Sequence, residues 1–84
     1  MESAVLPKDK FMEWVERNPL RIWRIENNVS MAQISGMIEV SVTSIARWEF
    51  GSTVPSKSGM DKLALILGDS IRTNWAKWTT ARLA

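Results

Sequence analysis

Apolar residues recur along the chain three and four positions apart, and capping residues divide that pattern into short helices. Phe11, Trp14 and Val15 fall at i, i+3 and i+4 behind Pro7, which predicts an N-terminal helix over 7–17 preceded by a loose arm at 1–6. Asn18 ahead of Pro19 repeats a start signal, an N-cap residue followed by proline at the first helical position, so the next helix should run from Pro19 to about Asn27. In that helix Leu20 and Trp23 point one way while Ile22 and Ile25 lie partly on another, so something must cover the second side. The N-terminal helix, through Phe11 and Trp14, is the local candidate, and a partner subunit is the alternative.

From Ser30 to Gly51 the pattern predicts two short helices joined by a tight turn. Ser30 with Gln33 three residues on makes a capping box, so a helix begins at Met31, with Ala32, Ile34, Ser35 and Ile38 left for its inner side and Val40 for the turn. Ser41 caps a second helix over about 42–50, in which Ile45 and Trp48 share one face and Val42, Thr43, Ala46 and Arg47 occupy the others. That helix has an inner side able to pack and an outer side of short residues with one long cation, a shape suited to a major groove.

After Gly51 the run S-T-V-P-S-K-S-G reads as a loop. Ser58 with Asp61 three residues on marks a helix start, Met60, Leu63, Ala64 and Leu67 face inward, and Gly68 stops the helix. Leu65 and Ile66 exceed the needs of a single face. Asp69 or Ser70 caps a last helix whose stripe of Ile71, Trp75, Trp78 and Arg82 either covers the N-terminal helix or pairs two subunits. The fold class expected is all-α, a bundle of about five to six short helices containing a helix-turn-helix.

Composition narrows the chemistry. The chain has 84 residues, so one domain is expected, and a chain of this size buries only about 60% of its unfolded surface. With 45% apolar and 24% charged residues it has the make-up of an ordinary soluble domain, which argues against disorder. No apolar run nears the roughly 20 residues of a membrane span, and the N-terminus lacks a basic start with an apolar core, so a cytoplasmic protein is expected. The absence of cysteine and histidine removes disulfides, thiol catalysis, zinc sites of the Cys/His kind and imidazole chemistry; neither metal nor cofactor is expected. The net charge of +2 favours a polyanion only weakly, so affinity must come from where the charges stand. Residues 58–84 carry the excess, with four basic groups against two acidic ones.

The ending Trp48, Glu49, Phe50, Gly51 resembles that of the second motif helix in the lambda-repressor-like family, the Cro and phage-repressor type. The resemblance runs without a gap from about Leu20 to Gly68. Leu20, Trp23 and Arg24 precede the motif; Ile34, Ile38, Val40, Ile45, Trp48, Glu49 and Gly51 lie within it; Pro55, Met60, Leu63, Ala64, Leu67 and Gly68 follow. Residues 1–18 and 69–84 are then additions to a core at 19–68. Met31 stands where many members have a polar residue, and Glu39 where glycine is common in the turn.

That resemblance implies a sequence-specific double-stranded DNA-binding regulator with the second motif helix in the major groove. Base-edge contacts fall on Val42, Thr43, Ser44 and Arg47: Arg47 suits guanine O6 and N7, while Val42 and the Thr43 methyl suit a thymine methyl. Phosphate contacts fall on Ser41, Ser56, Lys57 and Ser58. Arg24 and Glu49 occupy positions that resemble an internal ion pair orienting the reading helix. A homodimer on a palindromic site is expected, with Leu65, Ile66, Ile71, Trp75 and Trp78 as the dimer or packing face. The alternative is an antitoxin-like or adaptor module that binds a protein partner through its tryptophan-rich faces. An enzyme fits poorly, because the motifs assemble no nucleophile with a base and no metal cluster.

Overall fold

A computed structural model describes residues 8–82. Six helices follow one another: α1 (Lys8–Glu16), α2 (Pro19–Glu26), α3 (Met31–Ile38), α4 (Val42–Glu49), α5 (Lys57–Leu67) and α6 (Ser70–Ala81). There is no strand among the described residues, as the helical spacing predicts for an all-α fold. The arm at 1–6 and the helix start at Pro7 lie outside them.

Local chemistry sets most of the boundaries. The Asn18 side chain accepts from the amides of Leu20 and Arg21 at 2.9 and 3.0 Å, and Pro19 has no amide to satisfy. At α3 the Ser30 hydroxyl accepts from Gln33 N at 3.0 Å, and Ser30 N donates to Gln33 Oε1 at 2.8 Å, a complete capping box. The start of α5 differs from the expectation: Ser56, not Ser58, is the cap, its hydroxyl accepting from Gly59 N at 3.1 Å, and Ser58 already lies in the first turn. Asp69 precedes α6 without capping it, because its carboxylate instead accepts from Arg72 Nε at 3.2 Å.

Leu20, Ile34, Ile45 and Leu63, one from each of α2 to α5, are fully buried and meet at the centre. Burying such a side chain contributes about 1.5–3 kcal/mol, and truncating one to alanine costs about 2–5 kcal/mol once the cavity is included. Ala32, expected inside, is exposed; Ile34 and Ile38 fill the inner face of α3 without it.

The terminal helices decide between alternatives that the pattern left open. Ile71, Trp75 and Trp78 are buried against the core and Trp14, so this stripe covers α1 within the chain and is not open to a second subunit. The indoles of Trp14 and Trp78 stack with centroids 4.0 Å apart, and each ring N–H donates to the other residue's carbonyl at 2.6 Å, which satisfies both buried donors. Because α1 turns toward α6, it leaves Ile22 and Ile25 uncovered, 40% and 63% exposed. Trp48 is also buried and Trp23 half-buried, so the tryptophans form core and not the aromatic docking face on which the adaptor reading relied. Leu65 alone of the expected face is openly exposed, at 85%, with Ile66 half-buried beside it.

Candidate nucleic-acid interface

Helices α3 and α4 are joined by Glu39, Val40 and Ser41. Glu39 takes the left-handed conformation, φ 57° and ψ 48°, and its amide donates to Ser35 O. The turn that usually employs glycine therefore keeps its geometry here, at a cost of about 1–2 kcal/mol for a residue with a Cβ. Two bonds hold it shut: Val40 N donates to Ser35 O at 3.2 Å, and the Ser35 hydroxyl donates to Val40 O at 2.5 Å. The role of Ser35 could not be read from the pattern, since its small side chain fits equally well as inner-face filler.

Ser41 caps α4, its hydroxyl accepting from Ser44 N at 3.1 Å and meeting the Ser44 hydroxyl at 3.1 Å. Every third or fourth residue then turns inward: Ile45, Trp48 and Glu49 are buried. The opposite face presents Val42, Thr43 and Arg47 to solvent, with Ser44 and Ala46 half-buried at its edges.

A buried ion pair anchors the far end of α4. Arg24 Nε donates to Glu49 Oε2 at 2.5 Å and Arg24 Nη2 to Glu49 Oε1 at 2.8 Å, a two-pronged contact between α2 and α4. Arg24 Nη1 also donates to Val29 O at 3.1 Å, tying in the connection to α3. Glu49 is 0% and Arg24 8% exposed. The hydrogen bond to Glu49, reinforced by its charge, raises the Arg24 pKa against the opposing effect of burial, so the guanidinium stays charged.

Beyond α4 the chain leaves by a Schellman turn: Gly51 N donates to Trp48 O at 3.2 Å and Ser52 N to Arg47 O at 2.9 Å, with Gly51 at φ 74°. The first turn of α5 lies against Trp48, since a Cβ at Gly59 would come within 2.9 Å of that ring. Ser56, Lys57 and Ser58 are exposed there, next to the end of α4. Lys57 Nζ reaches Asp61 at 3.3 Å, and Asp61 also takes Arg72 Nη2 at 2.9 Å, which links α5 to α6. The hydrogen bond from Arg72, then that from Lys57, holds the Asp61 carboxyl below its usual range. No group of three or more acidic residues able to hold a metal occurs among the described residues.

Two helices joined by a tight turn, the second anchored at its end and exposing an outer face, define a helix-turn-helix protein. Residues 20–72 match the helix-turn-helix family, more than half of the chain. The chain belongs to that lambda-repressor-like family of DNA-binding transcription regulators. No curated protein and no solved structure matches it. The match begins where the resemblance begins, at Leu20, and extends four residues past Gly68 into α6; α1 and most of α6 lie outside it. No helix among the described residues is long and apolar enough to cross a membrane.

Proposed function

We propose that the chain is a sequence-specific regulator of the phage-repressor or Cro kind, a single DNA-binding domain that acts in the cytoplasm as a dimer on a palindromic site. The observation that carries this reading is the division of α4: Ile45, Trp48 and Glu49 are locked inside while Val42, Thr43 and Arg47 stand free on the other face. Val42, Thr43 and Ser44 enter the major groove from the capped end of the helix, and Arg47 reaches a guanine edge one turn further along. Ser41 and the exposed triplet Ser56, Lys57 and Ser58 flank the groove and meet phosphates. The anchoring of Glu49 by Arg24 makes the acid an orienting group and not a reader.

With Ile71, Trp75 and Trp78 enclosed, self-association falls to apolar side chains that stay outside, Leu65 with Ile66 of the expected face and the uncovered Ile22 and Ile25. Two half-sites would then lie about 34 Å apart or a multiple of that. Selection of bound duplexes from a randomised pool at near-physiological salt, with the mass of free and bound protein recorded, tests the whole reading. An enriched palindrome carrying two subunits supports it. Weak, salt-sensitive binding without enrichment overturns sequence-specific regulation and directs attention to a protein partner.

A further inference from the structure

The two segments outside the matched residues meet each other and then reach the recognition helix. Trp14 of α1 and Trp78 of α6 stack with planes 3° from parallel, and Trp75 meets Trp78 edge-on at 5.6 Å. The Arg82 guanidinium lies 5.0 Å from the Trp14 ring and 5.6 Å from that of Phe11, within cation–π reach of both. This clasp fixes the plane of the Trp14 indole. Its benzo edge then lies on Gly51: a Cβ built there would come within 2.8 Å of Trp14 Cζ3.

Gly51 is the pivot of the turn that closes α4. The amides that follow it, Ser52 N and Thr53 N, donate to the carbonyl of Arg47 at 2.9 and 3.4 Å, so the geometry of the turn is tied to the residue that faces the base edges. The same turn directs the chain toward Ser56, Lys57 and Ser58. Burial in the core would give Trp14 a general stabilising role wherever it packed; its contact at this one glycine gives it a local one.

We propose that Trp14 is a positioning residue for DNA binding, held by the α1–α6 clasp so that its ring sets the turn at Gly51 and with it the angle between the recognition helix and the loop to α5. The proposal rests on the reading of Arg47 and of residues 56–58 as DNA contacts. Removing the clasp loosens the turn before it unfolds the core, and the protein then loses discrimination between duplexes more than it loses helix.

The test compares the wild-type chain with Trp14→Phe, Gly51→Ala and the double variant, at a temperature where circular dichroism shows all four folded. In Trp14→Phe, amide exchange at Ser52 and Thr53 should rise about tenfold more than at Ile45, which sits within α4 and pairs with Ser41 O. The ratio of affinities for the duplex selected from the random pool and for an unrelated duplex should fall about fivefold. Gly51→Ala should cost less binding when Trp14→Phe is also present, because the smaller ring makes room for the methyl group. Uniform acceleration across α4, an unchanged affinity ratio, or an equal cost of Gly51→Ala in both backgrounds would each overturn the positioning role. If the wild-type protein prefers no duplex, the DNA-contact reading fails instead, and the exchange comparison still decides whether the ring holds the turn.

Discussion

Arg24 and Glu49, 25 positions apart, form a two-pronged ion pair at 2.5 and 2.8 Å that joins α2 to the end of α4. Glu49→Ala would leave a buried guanidinium without its partner and should cost about 3–5 kcal/mol, lowering the melting temperature and DNA affinity together. Replacing both residues, Arg24→Met with Glu49→Leu, should recover most of the stability, since an apolar pair of similar volume avoids the desolvation of two charges. Thermal melts of the wild type and the two variants check this, and an unchanged melting temperature in Glu49→Ala would count against the pair as an anchor.

Arg47 stands exposed on the outer face of α4 and donates to no other side chain among the described residues. Arg47→Ala should leave stability within about 0.5 kcal/mol of the wild type, as for an ordinary surface substitution. It should also remove about 1–3 kcal/mol of discrimination at one base pair. Competition between single-base variants of the selected duplex measures this; an unchanged preference would remove Arg47 from the readers.

Among the described residues Lys57 is held by an exposed contact to Asp61, which a phosphate can replace without leaving a buried charge behind. Lys57→Ala should weaken binding to all duplexes alike and reduce the slope of log affinity against log salt by about 1. A titration at several salt concentrations reads both effects, and a change confined to one sequence would contradict a phosphate role.

Glu39 holds a left-handed backbone at φ 57° with its side chain exposed. Glu39→Gly should therefore stabilise the protein by about 1 kcal/mol, by relieving the Cβ of that conformation. Chemical denaturation gives the number; destabilisation would mean that the Glu39 side chain contributes more than the strain it causes.

Asp61 bridges Arg72 and Lys57, and its carboxyl is held below the usual carboxylate range by those two hydrogen bonds, Arg72 first. A carboxyl depressed in the folded state contributes stability above its unfolded pKa and loses it as pH falls through the folded value. Acid unfolding of Asp61→Asn should accordingly show a shallower dependence of stability on pH below the ordinary carboxylate range than the wild type. Equal slopes would mean that the link between α5 and α6 does not persist in solution.

The caps at Asn18, Ser30 and Ser41 were legible because each is made within three residues, between a side chain and amides that the sequence places beside it. The inner face of α4 was legible for a similar reason: helical spacing alone puts Ile45 and Trp48 on one side. The start of α5 was not, because Ser56 and Ser58 are equally good caps. The choice follows from the close seat of Gly59 on Trp48, which places that turn from outside the segment. The pairing of Arg24 with Glu49 came from family resemblance, and the pattern of either helix alone would have left both as solvated charges.

The sequence by itself determined an all-α chain of about five to six short helices, their order and the division of the second motif helix into an inner and an outer face, since these depend on propensity, capping and periodicity within a few residues. Only the tertiary structure decided where the surplus apolar faces went. Trp14 and Trp78 stand 64 positions apart, and nothing local distinguishes a stripe that will close on its own chain from one that will meet a second. That choice turns on whether two surfaces fit when the helices between them have been laid down, which is why α1 clasps α6 while Ile25 and Leu65 are left to the solvent.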